Sequence, residues 1–189
     1  MKKSFRPYLA FLLMGSLLTF SACKDEEEPE PDHEHDVVTT VTLTLTPSTG
    51  GQAITATWED LDGPGGNAPA IDELVLSANT TYTGSISFAS EEAHGDHHDT
   101  HDLTTDIREE GTAHEVFYQV TPQSLVAFSK IDKDANGRPI GLETSATTNA
   151  AGTGKVRILL KHQPGTKSST SNENTGETDV DISFDTKVQ

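Results

Sequence analysis

From residue 41 onward the chain alternates. In "VTLTLT" (41–46) Val41, Leu43 and Leu45 take turns with threonines, and in "AITATW" (53–58) Ile54, Ala56 and Trp58 share one parity. "TYTGSISFAS" (81–90) puts Tyr82, Gly84, Ile86 and Phe88 on one side. The same rhythm returns in "ELVLSA" (73–78), "EVFYQV" (115–120), "SLVAFSK" (124–130), "GLETSATT" (141–148), "KVRILLKH" (155–162) and "TDVDISFD" (178–185). A period of two places successive side chains on opposite faces of a strand, so each segment offers one face to a core and one to water. Thr and β-branched residues favour that geometry, and Gly, Pro, Asn and Asp punctuate it. Eight or nine short strands with near-regular turns predict an all-β fold, an antiparallel β-sandwich of the immunoglobulin-like kind. A closed barrel is the other architecture this pattern allows.

One stretch breaks the rhythm. "DLTTDIREEGTA" (102–113) reads as a short helix, with Thr104 or Thr105 near its start and Gly111 at its end. "QPGTKSSTSNENTGE" (163–177) is polar and turn-rich and predicts a mobile loop. The chain holds a single cysteine, so no intramolecular disulfide can form and stability must come from packing.

The N-terminus sets the address. "MKKSFRPYLAFLLMGSLLTFSAC" has a basic start, an apolar run from Tyr8 to Phe20 and small residues before Cys23, which is the layout of a secretory signal peptide. The run is too short for a spanning helix. Phe20-Ser21-Ala22-Cys23 resembles a bacterial lipobox, with Phe20 standing where Leu is usual. That resemblance implies cleavage before Cys23 and lipidation of its sulfur and amino group (palmitate or a similar acyl chain). Several acyl chains would anchor the protein stably, at about 0.8 kcal/mol per buried CH₂. Residues 1–22 are therefore read as signal, 23–36 as a lipidated acidic tether and 37–189 as the β-sandwich domain. The tether, "KDEEEPEPDHEHD" after the cysteine, lacks apolar residues that could offset the entropy of ordering.

"KDEEE" (24–28) looks like the export tag of Bacteroidota-type surface lipoproteins, which directs them to the outer face of the outer membrane. The domain itself carries "VTLTLTP", "ATWEDLDGPGGNAP", "LSANTTYTGSISF", "AHEVFYQV", "DKDANGRPIGL" and "GETDVDISFDTKVQ". Together these resemble a poorly characterised family of small Bacteroidota-type lipoproteins over nearly the whole mature domain. The resemblance implies neighbouring TonB-dependent outer-membrane receptors as partners, and a role in nutrient or metal capture. Some members carry the label of a type 1 periplasmic-binding fold, which this strand-rich pattern does not support. Loss of the signal would remove Lys2, Lys3 and Arg6 and make the formal net charge of −17 more negative still. A chain so acidic repels nucleic acid and concentrates cations.

The cations have an obvious destination. Half of the eight histidines lie in "EEAHGDHHDTHD" (91–102): His94, His97, His98 and His101, among Asp96, Asp99 and Asp102. His94/His98 and His97/His101 are four apart and would share a face on a helix, but Gly95, Thr100 and the aspartates disfavour one, so the stretch reads as a loop. Neutral imidazole suits zinc, copper or nickel; zinc is the leading expectation. The acids favour protonated imidazole, so protons compete with metal below neutrality. His33 and His35 on the tether supply a second cluster, and His114 and His162, each at a strand end, could meet at one edge of the sandwich. The bland reading of the stretch is a solvated, low-complexity loop with weak metal affinity, and of His114 and His162 a pair of hydrogen-bonded strand-end residues.

Calcium is disfavoured. "DKDANGRPIGLE" (132–143) matches the calcium-loop template at Asp132, Asp134, Asn136, Gly137 and Glu143, yet both flanks read as strands. Asn136-Gly137 is also the preferred two-residue hairpin turn. "WEDLDGPGG" (58–66) is first of all a turn. No G-x-S-x-G, H-E-x-x-H, P-loop or dinucleotide fingerprint is present, and no enzymatic activity is expected. The expected function is a surface lipoprotein that captures a divalent transition metal and delivers it to an outer-membrane receptor. The alternatives are an adhesive or structural β-sandwich module without a specific metal, and an accessory nutrient-binding lipoprotein.

Overall fold

The computed structural model describes residues 37–63, 65–94 and 97–189; for residues 92–94 and 97–99 it describes the backbone alone. The signal, the tether, Cys23, His33, His35 and Asp96 lie outside the described residues.

The alternation becomes two stacked sheets, and the expected antiparallel β-sandwich forms. One sheet has the order β3-β2-β1-β5-β9-β8, with β6 added to β5. These strands are β1 (Thr40–Pro47), β2 (Ile54–Glu59), β3 (Ala70–Ile71), β5 (Thr81–His94), β6 (His97–Asp102), β8 (Val126–Lys130) and β9 (Glu143–Thr148). The other sheet runs β4-β11-β10-β7, from β4 (Leu74–Leu76), β7 (His114–Thr121), β10 (Gly152–His162) and β11 (Glu177–Val188). All pairings are antiparallel except β4 with β11, which is parallel. Among the described residues both sheets keep open edges, so the barrel alternative does not apply.

The inward parity of each strand builds the core. Val41, Leu43 and Leu45 of β1 are fully buried and lie with Tyr82, Ile86 and Phe88 of β5. Val156, Ile158 and Leu160 of β10 and Val180, Ile182 and Phe184 of β11 complete the cluster from the second sheet. Burying one such side chain stabilises the fold by about 1.5–3 kcal/mol. Gly84 occupies an inward position of β5 for want of room: a Cβ there would lie 2.4 Å from Thr144 Oγ1 and 2.8 Å from Leu45 Cδ2.

Strand β5 is long enough to change partners. Its first residues pair with β9 through Ser85, and its last pair with β6 from Ala89 onward. Helix α1 (Leu103–Glu109) fills the gap between them. Thr104 Oγ1 accepts from Phe88 N at 2.9 Å and donates to Phe88 O at 3.2 Å, standing in for the missing strand. Asp102, just ahead of the expected threonines, is the N-cap, and its side chain accepts from Thr104 N at 2.9 Å. Leu103 and Ile107 bury the inner face of the helix.

Two expectations are corrected. The Asn136-Gly137 turn is not a two-residue hairpin. Asp134 N donates to Arg138 O at 2.8 Å and Gly137 N to Asp134 O at 2.9 Å, which leaves three residues, 135–137, at the tip. Only Gly137 takes the left-handed conformation, at φ +76°, whereas the two-residue turn needs both central residues there. The 163–177 segment, expected to be mobile, is anchored. Gln163 and Lys167 are buried, and Gln163 N donates to Ala113 O at 2.6 Å. The reason is a lysine: Lys167 Nζ reaches Gly111 O at 2.7 Å and His114 O at 2.8 Å, and lies 3.2 Å from Asp134 Oδ2.

Candidate metal-binding hairpin

The histidine-rich stretch is a β-hairpin rather than an irregular loop. β5 runs to His94 and β6 returns from His97, with His94 paired to His97, Ala93 to His98, Glu92 to Asp99, Glu91 to Thr100 and Ser90 to His101. Register then sorts the residues by parity. Glu92, His94, His97, Asp99 and His101 belong to one face of the ribbon; Ala93 and His98 belong to the other.

This changes which histidines can share an ion. Directly paired residues in an antiparallel ladder have Cα atoms about 4.5–5.5 Å apart, close enough for two imidazoles to reach one metal. Residues four apart along a strand are about 13 Å apart, which is too far. His97 and His101, both on β6, are therefore separated by distance, His94 and His98 by lying on opposite faces of the ribbon, and His94/His97 is brought together.

The end of the ribbon is fixed by the helix cap. Asp102 accepts from Thr104 N and, at 3.1 Å, from Thr105 Oγ1. The Thr104 and Thr105 hydrogen bonds hold its carboxyl below the usual range. That carboxylate is committed to the cap. His101 Nε2 lies 3.6 Å from Asp106 Oδ2 on the first turn of α1.

His114 and His162 do meet, as a register pair joining β7 to β10 in the second sheet. Their rings stack with centroids 4.7 Å apart and an interplanar angle of 14°. Nitrogen lone pairs lie in the ring planes, so stacked, nearly parallel rings do not converge on a shared ion. His114 Nδ1 lies 3.3 Å from Glu110 O, and its Nε2 lies 3.9 Å from Asp179 Oδ2. Among the residues whose side chains are described, no three of His, Cys, Asp and Glu are grouped to hold a metal.

Burial, and then the neighbouring His162, push His114 below the ordinary histidine pKa, against the opposing pull of Glu110 and Asp179. The unfolded chain therefore binds this proton more readily than the folded one. Stability that is present above the ordinary histidine pKa is lost as pH falls through it toward the lower folded value. Urea denaturation from about pH 8 to about pH 5 should show this fall, and His114→Gln should flatten it. An identical slope in the variant would show that other groups carry the dependence.

The carboxylates of the calcium-like loop serve the chain's own donors. Asp132 accepts from Gly141 N at 2.8 Å and Leu142 N at 3.0 Å. Asp134 Oδ1 accepts from Asn136 N and Arg138 N, each at 2.8 Å. The sequence did not single out Lys167, whose backbone carbonyl also accepts from the Arg138 guanidinium. A lone lysine in a polar stretch gives no local signal of burial.

No family model, curated protein or solved structure matches this chain.

Proposed function

We propose that this protein is a lipid-anchored surface lipoprotein that captures a divalent transition metal, zinc foremost, on the His94/His97 face of the β5–β6 hairpin. The observation that carries this reading is the register: it pairs His94 with His97 and gives Asp99 and Glu92 the same parity. Two imidazoles and one or two carboxylates are a donor set suited to zinc, with copper and nickel as competitors. The acidic chain raises the local cation concentration around the ribbon. The lipobox-like Cys23 and the acidic "KDEEE" segment support attachment to the outer membrane, facing the medium. Delivery to a TonB-dependent receptor follows from the resemblance to surface lipoproteins of that kind.

Calorimetric titration of residues 23–189 with zinc tests the metal role, with a free peptide of residues 91–102 as the reference. The expected result is a saturable site on the domain that binds tighter than the peptide by about tenfold or more, because the sandwich holds the hairpin in register. Equal affinity of domain and peptide would overturn it.

A further inference from the structure

A second site lies away from the hairpin, where the sandwich opens along one side. β7 ends the second sheet and β8 ends the first, and the two edges leave a cleft of about 500 Å³ between them. Its walls include Tyr118, Gln119 and Thr121 from β7, Gln123 from the connection, Phe128 from β8 and Glu173 from the 163–177 segment. The volume lies within the range of small-ligand pockets.

The chemistry of these walls is selective. Tyr118 and Phe128 stack at 4.7 Å with an interplanar angle of 12°, forming a rigid aromatic wall, and the Tyr118 hydroxyl is spent on Gly141 O at 2.8 Å. Gln119 is oriented, since its Oε1 accepts from Arg157 Nη1 at 2.8 Å. That leaves the amide NH₂ as the donor end. Arg157 is itself clamped by both oxygens of Asp181, at 2.6 Å each, and its remaining field is felt by Glu173 in the cleft wall, while the guanidinium does not line the cleft. Among the described residues, the lining offers two amides, a hydroxyl and one carboxylate, with no cationic side chain. Such walls give a phosphate or carboxylate no counter-charge, and Glu173 repels one. They suit a ligand with one apolar face for the aromatic wall and a rim of hydroxyls for the amides and the carboxylate.

We infer that this cleft is a subsite for one ring of a neutral saccharide. The stacked aromatics meet the ring's C–H face, the Gln119 and Gln123 amides donate to its hydroxyls, and Glu173 accepts from a hydroxyl. The site is independent of the metal reading: it shares no residue with the hairpin, and its test needs no zinc.

Maltotriose, cellotriose and chitotriose are suitable probes, titrated into zinc-free residues 23–189 while the glutamine side-chain amide signals are followed by NMR. At least one should shift the Gln119 and Gln123 amides saturably, with a dissociation constant on the order of millimolar. Gln119→Ala should weaken that binding by about tenfold, the loss expected for an oriented hydrogen bond, and exposed Gln123→Ala should weaken it less. The dispersion of the same spectra reports that each variant is folded. No shift with any of the three at about 20 mM, well above a millimolar constant, would overturn the site. So would a larger response to a uronic-acid oligosaccharide than to its neutral counterpart.

Discussion

Replacing Lys167 with methionine should destabilise the domain by about 3–5 kcal/mol, the cost of removing one partner from a buried ion pair. The lysine ammonium and the Asp134 carboxylate are fully buried and 3.2 Å apart. Two carbonyls, Gly111 O and His114 O, complete the ammonium's hydrogen bonds. Methionine preserves most of the stem but leaves a carboxylate without its counter-charge and two carbonyls without their donor. Burial pushes the Asp134 carboxyl up, but the donors Arg138 N, Lys167 and Asn136 N outweigh it and hold it below the ordinary carboxylate range. This contribution is therefore present above the unfolded carboxylate pKa and lost as pH falls through the lower folded one.

Urea denaturation near neutral pH measures the effect directly. Adding Asp134→Asn to the Lys167→Met background should recover part of the loss, because the stranded charge is its largest component. Limited proteolysis should cut 163–177 faster in the single variant, since Lys167 ties that segment to the start of β7 and to the 131–142 loop. A loss below about 1 kcal/mol would place the pair with exposed salt bridges and refute the lock.

The hairpin gives the second large effect. If zinc sits on the His94/His97 face, His97→Ala should weaken binding by about tenfold or more, while His98→Ala should change it by no more than about twofold. The two residues are adjacent, so a merely histidine-rich, unstructured stretch would treat them alike. A helix would couple His94 with His98 and His97 with His101, so there too both changes would be damaging. Calorimetry on the two single variants therefore separates the ribbon from both other geometries. Equal losses for both would sink the ribbon site.

How far these features could be read in advance depends on the range of the interaction that makes them. Val41, Leu43 and Leu45 declare their inward face through spacing alone, because strand period is local. The helix at 103–109 was legible for the same reason, down to the threonines beside its cap. "HGDHHDTHD" was not: its composition opposes a strand, and only the neighbouring length of β5 supplies the ladder that makes one. The His114–His162 contact could be suggested from two strand ends, but stacking, which keeps their nitrogens from converging, is a property of the packed pair.

The sequence by itself determined which face of each strand builds the core, that the fold is all-β, and that histidines gather in one acidic stretch. Those properties reside in residue type and short spacing. Only the tertiary structure decided which histidines share a face, that Lys167 is buried, and that the edges of β7 and β8 leave a cleft. Each of these depends on register between strands or on contact among segments distant in the chain. No local period encodes such pairings, because they form only when the whole set of strands has found its order.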